Sequence, residues 1–115
     1  MKDQEFEIMN AVIESATIDD GDRGLLTAWL QVEHPNGHQG FGGYALYLPK
    51  DFQHGKVSNG FAGHFIFRCM QIAGVSSWDK LIGRTIRVKC NHSKIQSIGH
   101  IIKDDWFTPS EDFKD

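Results

Sequence analysis

The stretch FAGHFIFRCMQIA, residues 61–73, decides the predicted fold because it carries the clearest helical pattern in the chain. Ser58 or Asn59 precedes it and is suited to cap the N-terminus of a helix. Gly74 follows it, and glycine is the residue that most often closes a helix at its C-terminus. The sequence therefore predicts one long helix over residues 61–73.

This predicted helix is apolar over most of its circumference. Its polar residues His64, Arg68 and Gln71 are spaced i, i+4 and i+7, which confines them to one narrow stripe. A helix of this kind must be covered on more than one side. A small sheet covers one side only, so we expect a second subunit to cover the rest, and the sequence predicts a homo-oligomer. The alternative is a helix wrapped by the N- and C-terminal segments of its own chain.

Strand-like patterns flank the helix on both sides. Three precede it and two follow it, at residues 6–18, 25–33, 40–48, 84–90 and 94–103. The alternation is clear in the fourth segment, where Ile86, Val88 and Cys90 are predicted to face inward. The order β-β-β-α-β-β favours an α+β fold with one long helix between strands 3 and 4. Its five strands form either an antiparallel sheet or a small barrel.

Length and composition restrict the class of protein. The chain has 115 residues, of which 40% are hydrophobic and 23% charged, and its formal net charge is −3. This is enough for one packed core and excludes wholesale disorder. We expect a single α+β domain over residues 1–115, in which residues 104–115 form an acidic C-terminal tail anchored by Trp106 and Phe107.

Several features bear on location. The first seven residues are acidic, which is unlike a secretory signal, and no apolar run has the length of a membrane helix. The sequence therefore predicts no membrane partner. Cys69 and Cys90 make no disulfide framework and are typical of thiols in a reducing compartment. The predicted location is cytoplasmic.

Charge is unevenly distributed along the chain. Residues 1–57 contain nine acidic and four basic residues, whereas residues 58–103 contain one acidic and seven basic residues. Residues 104–115 are again acidic. A basic middle of this kind attracts phosphates locally. The alternative is that basic and acidic segments neutralise each other across the surface.

The stretch HQGFGGY, residues 38–44, is the most unusual in the chain. Its three glycines let the backbone approach a ligand closely, and Phe41 and Tyr44 offer stacking faces. It lacks the lysine of a phosphate-binding P-loop and does not open a helix, which excludes that class of loop. The candidate ligand-binding residues here are Gln39, Phe41, Gly42, Gly43 and Tyr44. The alternative is a glycine-kinked strand at a barrel corner.

The arginines of the basic middle are candidates for phosphate binding. Arg68, Arg84 and Arg87 have guanidinium groups that pair bidentately with phosphate. Arg68 interrupts an apolar helix, where an unpaired charge is costly, so it needs either an anionic ligand or a carboxylate partner, which we expect from the acidic N-terminal strand. The remaining candidate ligand-binding residues are His64, His92, Lys94 and Trp106.

Metal and catalytic motifs are not recognisable in the sequence. The six histidines include no HExxH motif, and the two cysteines make no CxxC pair. Cys90 and His92 form a lone pair without further ligands. The sequence therefore predicts no metal, no cofactor and no catalytic residue, and it gives no support for an enzyme.

The glycine-rich stretch continues as QGFGGYAL, residues 39–46. One further glycine, Gly37, precedes it and is separated from Gln39 by His38. With this segment the chain resembles a family of small uncharacterised proteins of tailed phages and prophages. The resemblance runs from about Ile13 onward and includes FAGHFIFRCMQIAGVSSWDKLIG, RTIRVK and SKIQSIGHIIKDDWFTPSEDF. Cys69, Cys90 and the polar loop 51–58 depart from the family pattern.

The resemblance implies a role as a phage accessory protein. Phage proteins of this size include oligomeric proteins that sequester cyclic-nucleotide or ADP-ribose-type signals of bacterial immunity. We therefore predict a non-enzymatic protein of the host cell cytoplasm that binds a small phosphorylated nucleotide. The three arginines would clamp phosphate, and Phe41, Tyr44 and Trp106 would stack. Two alternatives remain: a single-stranded nucleic-acid-binding protein of phage replication or recombination, and a protein inhibitor of a host enzyme.

Overall fold

The fold is built on one antiparallel sheet. The computed structural model describes residues 5–22, 25–45 and 61–113 of the chain. The strands are β1 (Glu7–Asp22), β2 (Leu25–His34), β3 (Gly37–Ala45), β4 (Thr85–Cys90), β5 (Ile95–Gly99) and β6 (Trp106–Phe107). The helices are α1 (Phe61–Ala73) and α2 (Pro109–Asp112), and a single 3-10 turn spans Trp78–Leu81. The predicted helix 61–73 is confirmed.

The strand order in the sheet is β3-β2-β1-β4-β5-β6, so β1 lies near the centre and pairs on both sides. The α+β class and the antiparallel sheet are confirmed. The number of strands was predicted as five, whereas the described residues form six. The additional strand β6 lies within the predicted acidic tail and is only two residues long. Its Phe107 pairs with Ile98 and is buried, so the tail is anchored as predicted.

The alternative of a small barrel is wrong. The sheet curls, but among the described residues the edge strands β3 and β6 do not pair with each other, so the sheet stays open. A side-chain contact crosses from β3 to the turn after β4, where Gln39 Nε2 donates to the carbonyl of Asn91 at 2.9 Å. We call the opening between β3 and the turn 91–95 the seam of the sheet. It positions the candidate site.

Strand β1 contains a bulge that shifts its pairing with β2 and contributes to the curl of the sheet. The pairing of β1 with β2 shifts between Ile13 and Ser15, whereas its pairing with β4 is regular from Glu7 to Val12. The sequence alternation slips near Met9 and so predicts a bulge or bend there, but the pairing is regular at Met9 and the bulge lies between Ile13 and Ser15. The bulge turns Ile13 toward the start of β4, where its amide and carbonyl bond the backbone of residues 84 and 83. A bulge bends a strand and increases its twist, which contributes to the curl of the sheet.

One face of the sheet, the inner face, is covered by α1. Among the described side chains of α1, Phe65, Cys69, Ile72 and Ala73 are buried, and they share one core cluster with inward residues of the sheet such as Leu30 and Ile86. The predicted inward set Ile86, Val88 and Cys90 is confirmed. Phe65 also stacks on Phe41 at 5.8 Å and meets Phe107 edge-on at 5.5 Å. This aromatic cluster is the centre of the core.

The far side of α1 is partly covered by the C-terminal segment. His64 bonds the Asp112 carboxylate at 2.8 Å, and Arg68 bonds the Asp105 carboxylate at 2.9 Å. Phe67 remains 58% exposed. Wrapping by the chain itself therefore accounts for part of the apolar surface, and the homo-oligomer stays a prediction. None of the described helices combines the length and the apolar character needed to cross a bilayer.

Candidate functional site

A groove of about 360 Å³ opens along the seam of the sheet, and we call it the seam groove. One wall is β3 together with Trp29 of β2, and the other is the turn that joins β4 to β5. Five of the twelve predicted ligand-binding residues line it: Gln39, Gly42, Gly43, Tyr44 and Lys94. The antiparallel register explains the first wall, because Trp29 of β2 lies opposite Gly42 of β3.

Trp29 is the functional candidate that the sequence interpretation left out of the site. It is 40% exposed, and its indole ring lies across the backbone of Gly40 and Gly43. A Cβ atom at Gly43 would overlap the ring, and one at Gly40 would approach it to 2.9 Å. The alternation of β2 places Trp29 on the side opposite buried Leu30, which is the signal that identifies it as accessible.

Gly42 serves the packing of the strand. Its φ of +124° is a conformation that residues with a side chain rarely adopt, and a Cβ atom there would overlap the carbonyl of Ala28. Such an atom would also approach the Phe65 ring to 3.2 Å. Part of the glycine pattern is therefore explained by a kinked strand pressed close to β2 and α1, although this strand lies at the edge of an open sheet and not at a barrel corner.

Tyr44 contributes a partly exposed ring to the seam groove. The ring lies 6.1 Å from that of Phe65 and 6.2 Å from that of Phe113, so the core orients it. Burial raises the pKa of the Tyr44 hydroxyl above its ordinary value. The hydroxyl is therefore protonated at neutral pH and able to donate a hydrogen bond.

The opposite wall is a turn held by Asn91. The Asn91 side-chain Oδ1 accepts from the amides of Ser93 at 2.8 Å and Lys94 at 3.1 Å, and the Asn91 amide donates to the Lys94 carbonyl. Gln39 fixes this turn to β3 through the Asn91 carbonyl. Lys94 is exposed. Its ammonium is thus a cation on a fixed backbone at the edge of the groove.

A second cavity of about 440 Å³ lies beside the seam groove, and Gln39 lines both. His34 is buried at this cavity, and its Nδ1 accepts from the amide of Asn36 at 3.1 Å. Its Nε2 therefore carries the proton and donates to Gln39 Oε1 at 2.7 Å. His92, a predicted ligand-binding residue, lines this cavity rather than the groove. Spacing alone did not single out His34 among the histidines.

The two thiols are not activated. Cys90 Sγ lies 3.9 Å from His34 Nε2, but that nitrogen donates its proton to Gln39. Burial raises the pKa of Cys90 and also that of Cys69. Both are therefore protonated at neutral pH, and a thiol is a much weaker nucleophile than a thiolate. Among residues 5–22, 25–45 and 61–113, no three metal-ligating side chains converge.

The other predicted residues lie away from the groove. Phe41 is buried in the aromatic core, with Phe65 and Phe107 against its ring. His64 is bonded to Asp112 near α2. Trp106 lies on the face of the sheet that α1 does not cover, packed on Gly99. The structure therefore does not assemble Phe41, Tyr44 and Trp106 into one stacking platform.

Arg68 is held by the C-terminal segment. Its guanidinium donates to the Asp105 carboxylate and the Trp106 carbonyl, each at 2.9 Å, and to Gln71 Oε1. The expectation of a partner from the N-terminal strand is wrong, because β6 passes beside α1 and brings Asp105 within reach. The hydrogen bond from Arg68 holds the pKa of the Asp105 carboxyl below its ordinary value of 3.8.

Arg84 and Arg87 also bind the chain itself. Arg84 Nε donates to the carbonyl of Ala73 at 3.3 Å, at the C-terminal end of α1. Arg87 donates to the carbonyls of His100 and Lys103, each at 2.8 Å. The three arginines thus stabilise three different places, and they do not form a common phosphate clamp.

No protein-family model matches the sequence, and no curated protein matches it. The chemistry of the seam groove is therefore the main evidence for the function of this chain.

Proposed function

We propose that this protein binds and sequesters a small phosphorylated nucleotide in the seam groove. The observation that carries the proposal is the meeting of two accessible aromatic rings, Trp29 and Tyr44, with the ammonium of Lys94 around one groove. The groove volume of about 360 Å³ falls within the range of small-molecule sites, about 300–1,000 Å³.

The aromatic wall suits a nucleobase. Stacking of a base on an aromatic side chain contributes about 1–3 kcal/mol and tolerates any base, because every base has a π-face. Trp29 is held flat by Gly40 and Gly43, and Tyr44 is held by the core rings. Two rings fixed before binding lose little conformational freedom when the ligand arrives.

The polar wall of the seam groove has enough positive charge for only one or two phosphate groups. Lys94 is the cation among the described residues that line the groove, and the hydroxyls of Ser93 and Tyr44 add hydrogen-bond donors. The arginines that would bind further phosphates are engaged elsewhere. This charge favours a ligand with one or two phosphoryl groups, such as a cyclic nucleotide or an ADP-ribose-type molecule.

The biological role follows from the resemblance to tailed-phage and prophage proteins. A phage protein that holds a nucleotide signal without consuming it lowers the free concentration of that signal in the host cell. We propose that this protein counters bacterial immune signalling in the host cytoplasm in that way, as an accessory protein rather than an enzyme.

Calorimetry tests the proposal with a panel of cyclic dinucleotides, cyclic mononucleotides and cyclic ADP-ribose isomers. We expect one ligand per groove, recovered unchanged by chromatography. Lys94→Ala should weaken binding at least tenfold, while the matched variant Lys80→Ala, at an exposed position outside the groove, should bind as the parent does. The absence of binding at about 100 μM, a threshold near −5.5 kcal/mol, would overturn the proposal.

A second candidate function is binding of single-stranded nucleic acid. It is favoured by Trp106, whose ring has the Arg87 guanidinium 4.9 Å and the Lys89 ammonium 4.7 Å from its centre. Retention of oligo-dT that falls steeply with salt, and that Lys89→Gln reduces while Lys94→Ala does not, would favour this candidate over the nucleotide ligand.

A further inference from the structure

The face of the sheet opposite α1, which we call the outer face, carries an apolar stripe along β1. Ile8 is 54% exposed and Val12 is 42% exposed, with Asn10 between them. All three alternate with Ala11 of the core and with Met9, which is partly buried against the core, so they point away from α1. A shallow depression of about 310 Å³ lies beside this stripe and includes Val12 and Asn10.

Charges of opposite sign flank this stripe. Paired residues of an antiparallel ladder point to the same face. On the β2 side, Glu33 is paired with Val12. On the β4 side, Arg87 is paired with Asn10 and Lys89 with Ile8. The outer face therefore has an acidic flank on one side of β1 and a basic flank on the other.

Within the described part of the chain, Glu33, Arg87 and Lys89 form no side-chain ion pair, although Glu33 acts electrostatically on His38 beside it. Arg87 is bonded to backbone carbonyls, and Lys89 lies against the Trp106 ring, so neither is neutralised by a carboxylate. A polar and charged rim around an apolar centre is the usual arrangement of a protein interface.

We propose that two copies of this chain associate through their outer faces, with Ile8 and Val12 at the centre of the contact. In this dimer, a twofold axis lies in the plane between the two outer faces and crosses β1 between Asn10 and Val12. It places the acidic flank of each copy against the basic flank of the other. It brings Glu33 of each copy over Arg87 of the partner subunit, so the surface is complementary to itself, as an isologous dimer requires.

The arrangement of charge favours a second copy over a nucleic acid on this face. Glu33 and Glu14 lie on the same side of the sheet, since Glu14 Oε1 reaches His38 Nδ1 at 2.9 Å and His38 is paired with Glu33. A polyanion that follows β1 would meet these carboxylates.

Multi-angle light scattering tests the proposal on the full chain. We expect about twice the 13.0 kDa chain mass. Val12→Asp should convert the protein to a folded monomer with the circular dichroism spectrum of the parent, because Val12 is exposed in the single chain. The matched variant Phe67→Asp, an equally drastic change on α1, should leave the dimer intact. A dimer lost with Phe67→Asp and kept with Val12→Asp would overturn the proposal.

Charge reversal provides a second, independent test. At low ionic strength, Glu33→Lys should raise the dimer dissociation constant at least tenfold, because it places like charges against the basic flank. Adding Arg87→Glu, which reverses the charge that faces residue 33 across the axis, should recover most of that loss. A parent protein that is monomeric at about 100 μM would overturn the proposal. The proposal would also be overturned if Lys89→Glu abolished binding of oligo-dT but left the molar mass in light scattering unchanged. The outer face would then bind nucleic acid.

Discussion

Arg68 of α1 and Asp105 of the C-terminal segment form an ion pair at 2.9 Å, and the same guanidinium nitrogen donates to the Trp106 carbonyl. The Arg68 side chain is only 18% exposed, so this pair is shielded from water on one side. It fastens β6 to the helix. Hydrogen bonds that involve a charged group contribute more than neutral ones.

Arg68→Ala should therefore lower the free energy of unfolding by about 1–3 kcal/mol, since it removes the hydrogen bonds to Asp105, Trp106 and Gln71. Urea unfolding followed by circular dichroism measures this change. Lys80→Ala, at an exposed lysine, is the control and should stay within about 0.5 kcal/mol of the parent. Equal stability of the two variants would show that the ion pair is not a structural fastening.

The same pair predicts a dependence of stability on acid. Arg68 lowers the pKa of Asp105 below 3.8 in the folded protein, so the pair contributes stability above that pH and loses it as pH falls through the folded-state value. The difference in unfolding free energy between the parent and Asp105→Asn should be full at neutral pH and shrink below about pH 3.8. A difference that stays constant from neutral pH to pH 2 would contradict the assignment.

Gly43 and Trp29 should show energetic coupling. Gly43 has a φ of +76°, and a Cβ atom there would overlap the Trp29 ring. Gly43→Ala should destabilise the protein by about 2 kcal/mol or more, from backbone strain together with the displaced ring. In a Trp29→Leu background the same change should cost about 1 kcal/mol less, which a double-mutant cycle measures. Simple additivity of the two variants would mean that the ring does not lie over Gly43.

Phe65 and Phe67 offer a matched pair on one helix. Phe65 is fully buried among Phe41, Phe107 and Tyr44, so Phe65→Ala should cost about 3–5 kcal/mol. Phe67 is more than half exposed, and Phe67→Ala should cost less than about 1 kcal/mol. Thermal unfolding of the two variants measures both. A similar loss in both would place α1 in a different rotation about its axis.

Local sequence patterns were sufficient for the elements with regular periodicity. The polar stripe and the closing Gly74 located α1, and strict alternation located the inward residues of β4. The predicted N-cap residues Ser58 and Asn59 lie outside the described residues. Strand β6 was missed because two residues have no period, and its position depends on contacts that only the folded chain makes. Phe107 pairs with Ile98, and Trp106 covers Gly99. Each of these contacts depends on the path of the chain after β5.

The sequence predicted the β3 wall of the seam groove better than it predicted the positive charges that would face a ligand. Four of the five ligand-binding residues predicted in the stretch 38–44, Gln39, Gly42, Gly43 and Tyr44, do line the groove, because neighbouring residues of one strand stay together in space. The arginines do not line the groove, because each is hydrogen-bonded to other groups of the folded chain, mainly to backbone carbonyls. A sequence does not display where the carbonyls of Ala73, His100 and Lys103 will point.

The central place of β1 has a consequence for synthesis of the chain. β1 pairs with β2 immediately after the first turn, but its other edge pairs with β4, more than seventy residues later. A ribosome therefore releases β1, β2 and β3 as a three-stranded meander with one long edge still open. Glu7 and Asn10 lie on that edge, and polar residues there discourage pairing with other chains until β4 arrives. The same strand that organises the mature sheet thus keeps an unpaired edge in the nascent chain until β4 has been synthesised.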